Sequence, residues 1–253
     1  MSADEARANI AYYNMKYGFC KENISKNPIV FHSFLLYNVE RSILFSGAIM
    51  ETLILVLEIL GSIAFAISGC QVAVKHKMDL LGVFVLGITT AVGGGVIRDL
   101  LLDQVPPAMF VDPTCALAAF GICAAICIRP VRTFLFNDVM IMRIADSIGL
   151  GIFTAIGTSK ALSIFPENYF LAAFVGVITG VGGGILRDVF ANEPPYVFVR
   201  HIYALASLSG AILYILISKA VNPTAGIIVC SLAVILIRLL AGHFRWKLPV
   251  LEY

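Results

Sequence analysis

Charged residues are scarce in this chain of 253 residues: Asp, Glu, Lys and Arg together make up 13% of it, about half of what is usual in a soluble domain. The basic residues are scattered between apolar stretches and form no clustered patch of the kind that binds nucleic acid. The sequence also lacks the glycine-lysine patterns of nucleotide sites, Cys and His at metal-ligand spacing, and a paired nucleophile and base. We therefore expect no enzyme, no cofactor or metal, and no nucleic-acid partner.

Long apolar runs account for most of the chain. Hydrophobic residues make up 59% of it, and the mean hydropathy is +0.91. A bilayer core about 30 Å thick is crossed by roughly 20 helical residues, and seven runs come close to that length. They are Leu53–Cys70, Leu80–Ile97, Met109–Ile128, Ile144–Phe165, Tyr169–Leu186, Ile202–Ile217 and Ala225–Ala241. We predict an all-α membrane protein with seven transmembrane helices, embedded in a lipid bilayer.

The distribution of Lys and Arg between the runs predicts the orientation of the chain. One set of connections is rich in basic residues, whereas the opposite set contains little beyond Lys160 and Lys219. The rich set contains Lys75, Lys77, Arg129, Arg132, Arg143, Arg200, Arg245 and Lys247. Basic connections favour the cytoplasmic side, so we predict a cytoplasmic tail at residues 243–253 and a first helix that starts outside.

Residues 1–49 do not continue this pattern. They are mixed and polar, with several basic residues, and they show no signal-peptide pattern. Met50 stands directly before the first apolar run. We interpret residues 1–49 as an N-terminal extension that is either disordered or absent from the natural protein, if translation starts at Met50. Mass spectrometry of the native protein that detects residues 1–49 would contradict the second alternative.

The chain contains an internal repeat. Residues 90–99 read TAVGGGVIRD, residues 179–188 read TGVGGGILRD, and a double proline follows each copy. Upstream, Glu58 aligns with Asp146. We predict a first three-helix repeat at 50–130, a second at 140–219 and a seventh helix at 224–242. Because each repeat holds an odd number of helices, the second would enter the membrane from the opposite side. The predicted repeats are therefore inverted, as in many transporters.

Three consecutive glycines lie inside the second predicted helix and again inside the fifth. Glycine weakens a helix and leaves its carbonyl groups uncovered, which a membrane tolerates only against protein or a water-filled cavity. We therefore predict kinked or broken helices at these glycines, beside a pore. The glycines are Gly93, Gly94 and Gly95 in the first copy and Gly182, Gly183 and Gly184 in the second.

A polar row on each of these helices ends in a charge. Residues four apart share one helix face, and a charge at membrane depth marks an ion pathway or a buried pair. The row and the acid that follows it are Thr90, Gly94, Arg98 and Asp99 in the first copy, and Thr179, Gly183, Arg187 and Asp188 in the second. We interpret the arginines and aspartates as pore or gate residues, or as mutual ion pairs.

Close helix packing is the alternative interpretation of the glycines. A neighbouring row of small residues has the spacing that lets two helices approach closely. It consists of Gly87, Ala91 and Gly95, repeated as Gly176, Gly180 and Gly184. Both interpretations hold if one helix face packs and another lines a pore.

Other charged residues stand inside apolar runs. Glu58 and Asp146 are either acids that favour the positive end of a helix dipole or carboxylates that attract cations at a pore mouth. For Lys160 and Arg238 we expect side chains that reach the membrane interface.

The duplicated G-G-G-x-x-R-D motif with its trailing P-P closely resembles the prokaryotic relatives of the trimeric intracellular cation (TRIC) channels, also named UPF0126 or glycine-transporter domain proteins. The resemblance covers the chain from about Met50 to the seventh helix. It implies a homotrimer in the prokaryotic cell membrane, with one pore per subunit framed by the second and fifth helices. Members studied as channels pass monovalent cations, chiefly potassium, whereas others carry the glycine-transporter label.

Three functions follow from these patterns. We favour a passive, potassium-permeable cation channel, in which exposed carbonyl groups offer ion ligands. The main alternative is a secondary transporter of glycine or a similar small solute, whose carboxylate an arginine would assist in binding. A third is a membrane scaffold whose glycines serve assembly alone.

Overall fold

The structure is a computed structural model that describes residues 28–136, 139–199, 202–244 and 246. Ten helices and no strand are assigned within these ranges. They are α1 (Pro28–Lys75), α2 (Leu80–Leu101), α3 (Ala108–Val111), α4 (Thr114–Cys127), α5 (Arg129–Phe136), α6 (Val139–Ile164), α7 (Tyr169–Phe190), α8 (Tyr196–Val199), α9 (Tyr203–Ala220) and α10 (Pro223–His243). The chain divides into two compact units, Met1–Thr52 and Leu53–Tyr253.

The predicted N-terminal extension falls in the first unit. Residues 1–27 lie outside the described residues, and residues 28–49 belong to helix α1. Arg200, Arg245 and Lys247, which support the predicted orientation, also lie outside the described residues.

Six helical segments in the described ranges are long and apolar enough to cross a membrane. They are Met50–Lys75, Leu80–Leu101, Met140–Ile164, Tyr169–Phe190, Tyr203–Ala220 and Pro223–His243. Each coincides with one of the predicted runs, so the prediction of an all-helical membrane protein is confirmed.

The third predicted span differs from a simple helix. Helix α4 has 14 residues, which extend only about 21 Å, less than the bilayer core. It meets α5 at an angle of 98°, and only the two together would make a seventh span. The physical reason lies at both ends of the apolar run. Pro113 directly precedes α4, and Arg129-Pro130 follows it and disfavours a straight continuation.

Polar side chains cap the N-termini of three of the spans. The carboxylate of Asp79 accepts a hydrogen bond from the backbone N–H of Gly82 at 2.8 Å at the start of α2. Asn168 and Asn222 cap α7 and α10 in the same way. These side chains satisfy N–H groups that have no partner within the helix, so local sequence sets where each span begins.

The core between α1, α2, α6 and α7 is built from matching residues of the two repeats. The rings of Phe65 and Phe153 stack with their centroids 5.4 Å apart. Gly149 lies against the Phe65 ring, where a methyl group would collide, and Gly61 lies against the Phe153 ring, where a methyl group would be a tight fit at 3.0 Å. This exchange of equivalent contacts brings α1 against α6 and positions the helices that carry the glycine motifs.

Candidate functional site

The two helices with the glycine motifs, α2 and α7, run without interruption. Each is a continuous α-helix of 22 residues, and the glycines lie inside it. The predicted break of the helices at these glycines is therefore wrong. At Gly93, Gly94, Gly182 and Gly183 the space that the missing side chain leaves is occupied by the other helix.

The crossing of α2 and α7 is reciprocal. A methyl group at Gly94 would collide with the backbone carbonyl oxygen of Thr179, and one at Gly183 would collide with the carbonyl oxygen of Thr90. At Gly182 it would meet the Cα of Gly94 at 3.3 Å. A backbone atom cannot move aside as a flexible side chain can, so these glycines are required for the approach of the helices.

The remaining glycines of the motif have different surroundings. A methyl group at Gly93 would run into the side chain of Leu186, and one at Gly184 would lie 2.8 Å from the hydroxyl oxygen of Tyr203. At Gly95 the nearest atom would be Nη2 of Arg98 at 3.9 Å. Close packing thus accounts for Gly184, whereas it does not account for Gly95.

The two threonines of the polar rows are buried between helices. The hydroxyl of Thr90 donates to the carbonyl of Leu86 at 2.6 Å, and that of Thr179 donates to the carbonyl of Val175 at the same distance. Each side chain also lies against a glycine of a third helix, on α1 for Thr90 and on α6 for Thr179. Both hydroxyl groups are therefore satisfied within their own helix.

The first charged cluster consists of Glu58, Arg98, Asp99 and Lys160, from α1, α2 and α6. The Arg98 guanidinium donates from Nε to Asp99 at 2.9 Å and from Nη1 to Glu58 at 3.2 Å. The ammonium of Lys160 donates to the same Asp99 oxygen at 2.9 Å. Arg98 and Asp99 are buried, whereas Glu58 and Lys160 are about a quarter exposed. The charges of the cluster balance.

The second charged cluster consists of Asp146, Arg187, Asp188 and Arg238, from α6, α7 and α10. Arg187 donates to Asp188 and to Asp146, each at 2.8 Å. Arg238 donates to the second oxygen of Asp146 at 3.2 Å and lies over the ring of Tyr203. All four charged side chains are nearly or fully buried. Opposite charges held in contact avoid most of the cost of a lone charge in the membrane.

The aspartate of each motif also holds the segment after the double proline. Oδ2 of Asp99 accepts from the backbone N–H of Ala108 at 2.9 Å, at the start of α3. Oδ2 of Asp188 accepts from the N–H of Tyr196 at 2.8 Å, at the start of α8. One carboxylate therefore neutralises the preceding arginine and fixes the chain after the motif, which explains why Arg-Asp and the double proline occur together.

Four residues in or beside these clusters have contacts that the sequence did not predict. Lys160 and Arg238 were expected to reach the membrane interface, and the structure places each against a buried aspartate, Asp99 for Lys160 and Asp146 for Arg238. The hydroxyl of Tyr203 donates to Asp146 at 3.3 Å, and Ser68 accepts a hydrogen bond from Arg187. A charge inside an apolar run was the available signal for the first two. No sequence pattern singles out Tyr203 or Ser68.

Metal-ligating side chains do not converge in the described part of the chain. No group of three or more His, Cys, Asp or Glu side chains that could hold a metal ion occurs there. The chemistry of the site is that of ion pairs and backbone carbonyl groups.

Comparison with known proteins identifies relatives over most of the chain. The family model described as glycine transporter matches residues 55–130 and 143–219. The UPF0126 inner membrane protein YadS of Escherichia coli K12 is 39% identical over 195 residues, which cover 76% of this chain and 93% of that protein.

Solved structures with a similar fold are cation channels. A TRIC cation channel is 39% identical, with a TM-score of 0.71 over 78% of this chain and 97% of that one. The TRIC channel orthologue from Rhodobacter sphaeroides is 30% identical, with a TM-score of 0.69 over 77% of this chain and all of that one.

Proposed function

Because the chain belongs to the UPF0126 (glycine-transporter domain) family of membrane proteins, we propose that it is a potassium-permeable channel for monovalent cations. The observation that carries the proposal is its similarity to TRIC cation channels over almost their whole length. We further propose one pore in each subunit of a homotrimer, in the inner membrane of a prokaryotic cell, as the name of the YadS relative suggests.

The proposed pathway follows the crossing of α2 and α7. The motif glycines and the two threonines frame it, and the charged clusters lie at its ends, where Glu58 and Asp146 are the ion-pair partners of the two motif arginines. The glycines leave backbone carbonyl groups uncovered, and such groups can replace the water of a monovalent cation. In the described conformation the carbonyl oxygens of Thr90 and Thr179 lie against the opposite helix. Conduction then requires the two helices to separate or kink at the glycines.

Inverted repeats are part of the proposal and are supported by two contacts between helix ends. Lys75, at the end of α1, contacts Glu193, which follows α7, at 2.7 Å. Lys160, near the end of α6, contacts Asp99, near the end of α2, at 2.9 Å. The ends of α1 and α2 lie on opposite sides because a short turn joins these antiparallel helices. Equivalent helices of the two repeats would therefore end on opposite sides of the membrane.

The orientation follows the positive-inside rule, with the C-terminus in the cytoplasm and the first span starting outside. Arg143, near the start of α6, donates to the carbonyl of Gly242 at the end of α10 at 3.2 Å. This contact groups two of the basic ends on one side, as the proposed orientation requires.

The alternative function is a secondary transporter of glycine or a similar solute, which the description of the family model favours. Such a transporter needs a cationic group for the substrate carboxylate. Arg98 and Arg187 each already contact two carboxylates of the protein. This arrangement favours the cation channel over the transporter.

Recording from the purified protein in planar bilayers tests the proposal. We expect steady unitary potassium currents because a passive pore conducts continuously while it is open. Saturable glycine uptake in proteoliposomes, without unitary currents, would instead establish the transporter. If correctly assembled protein gives neither unitary potassium currents nor glycine uptake, the result favours the third function, a membrane scaffold.

A further inference from the structure

We propose that the Glu58–Arg98 ion pair is a latch that opens during gating, whereas the equivalent pair, Asp146–Arg187, stays closed. The inference rests on the proposed channel function and concerns how that channel opens.

The Glu58–Arg98 and Asp146–Arg187 pairs occupy equivalent places in the two repeats. They differ in contact distance and in the exposure of the carboxylate. Glu58 contacts Arg98 at 3.2 Å, and its side chain is 26% exposed. Asp146 contacts Arg187 at 2.8 Å, and its side chain is 2% exposed. A longer contact that the protein encloses only partly is easier to break than a short, fully enclosed one.

Additional partners hold the second pair. Asp146 also accepts hydrogen bonds from Arg238 and from the hydroxyl of Tyr203, and Arg187 also donates a hydrogen bond to Ser68. Arg238 belongs to α10, the last span, which has no counterpart in the first repeat. Counted from the double prolines, the position of Tyr203 corresponds to Cys115, a smaller side chain. The first repeat thus lacks both residues that enclose the carboxylate in the second.

Release of Glu58 leaves no lone charge in the protein interior. Arg98 keeps its contact with Asp99 at 2.9 Å, and Asp99 keeps both Lys160 and the N–H of Ala108. Glu58 itself moves into the water at the end of the proposed pathway. Release of Asp146 would instead separate it from two arginines in a dry site, which is far more costly.

The location of the latch determines what it controls. Glu58 is on α1 and Arg98 is on α2, eight residues after Thr90, so the pair ties α1 to one end of the helix that crosses α7. Without the tie, that end of α2 is released from α1 and keeps its Asp99–Lys160 contact with α6, while the second charged cluster anchors α7.

The test compares Glu58→Gln with Asp146→Asn, the matched change in the second repeat, by single-channel recording in symmetric potassium chloride. Removal of a partly exposed ion pair should raise the ratio of open to closed time about fivefold. We expect this rise for Glu58→Gln with an unchanged unitary conductance, and no rise for Asp146→Asn. An unchanged open probability for Glu58→Gln, or an equal rise in both variants, would overturn the latch.

Unitary conductance separates the latch from a simple pore-mouth carboxylate. A carboxylate that only concentrates cations would lower the conductance of Glu58→Gln at low salt and leave open probability unchanged, and that result also overturns the latch. The conservative change Glu58→Asp provides a rescue test. Because it keeps a carboxylate towards Arg98 and leaves the Arg98–Asp99 pair intact, it should hold open probability closer to that of the unmodified protein than Glu58→Gln does.

Two further controls keep the outcomes distinct. If Asp146→Asn does not assemble, Tyr203→Phe replaces it, because this change removes one donor to Asp146 and retains the ring beside Arg238. It should leave open probability unchanged, and an increase like that of Glu58→Gln would contradict the proposal. If the unmodified protein gives no unitary current, the proposed channel function fails, independently of the latch.

Discussion

Asp188 connects α7 with the start of α8 through one side chain. It pairs with the buried guanidinium of Arg187 and accepts the backbone N–H of Tyr196. Removal of this carboxylate would leave Arg187 with less compensation at a site closed to water. Buried charges whose partners are deleted are among the most destabilising defects in proteins.

The change Asp188→Ala should therefore lower the free energy of unfolding by about 3–5 kcal/mol, since it removes one partner of a buried pair. The measurement is the thermal unfolding midpoint of the purified protein in detergent. Glu167→Ala, at an exposed connection, is the control and should change stability by no more than about 0.5 kcal/mol. Equal midpoints for the two variants would show that the Asp188 contacts contribute little.

At the scale of whole helices, the crossing of α2 and α7 depends on where glycine is needed and where it is not. Gly94 and Gly183 face backbone atoms of the opposite helix, whereas Gly95 of the same motif has free space around it. Gly94 and Gly95 are adjacent in α2, so they have the same helix propensity and nearly the same depth in the membrane. They therefore provide a matched comparison.

Gly94→Ala should destabilise the protein by about 1–3 kcal/mol, because the added methyl group forces two backbones apart. Gly95→Ala should be neutral or stabilising by up to about 1 kcal/mol, since alanine favours the helix over glycine. Thermal unfolding midpoints of both variants, recorded under one set of conditions, check the difference. If Gly95→Ala lowers the thermal unfolding midpoint more than Gly94→Ala does, α2 and α7 do not cross as described.

At the scale of the whole molecule, the two repeats are joined at opposite ends by ionic contacts. Glu193, after α7, contacts both Lys75 and His76 at the end of α1. The hydrogen bond from Lys75, followed by that from His76, holds the pKa of Glu193 below its ordinary value of 4.5. A lowered pKa means that folding favours the charged carboxylate.

The contacts of Glu193 with Lys75 and His76 should contribute less to the free energy of unfolding in acid. The stability from a lowered carboxylate pKa is fully present above the unfolded-state pKa and is lost as the pH falls through the folded-state pKa. The thermal unfolding midpoint of the unmodified protein should therefore exceed that of Glu193→Gln at pH 7, and the two midpoints should converge as the pH falls through the lowered pKa of Glu193. The contact is partly exposed, so a difference of less than about 1 kcal/mol is expected. A difference that persists at pH 3 would show that the carboxylate charge is not its cause.

Much of the fold was predictable because it depends on local composition. Six spans coincide with predicted apolar runs, and Asn222-Pro223 and Asp79 are recognisable helix starts. The seventh span was predicted as one helix, whereas the structure has α4 and α5 with a 98° bend. Hydropathy averages over a window, so it did not separate the residues before Pro113 from the helix that follows.

Part of the candidate site was also predictable from the sequence. The repeated G-G-G-x-x-R-D motif pointed to residues that lie at the α2–α7 crossing and in both charged clusters. The partners from other helices were not predictable in the same way. Lys160 and Arg238 were expected at the membrane interface, because a single long basic side chain normally reaches it.

The sequence by itself determined the membrane class, the positions of six spans and the duplicated motif, since these depend on runs and spacings along the chain. Only the tertiary structure decided that Gly94 and Gly183 serve a close crossing of continuous helices and that each motif arginine, Arg98 and Arg187, meets two carboxylates. It also decided that the last span encloses one charged cluster and leaves the other partly open. The physical reason is that packing and ion pairing depend on atoms brought together from distant segments, and no spacing along one helix specifies which groups those are.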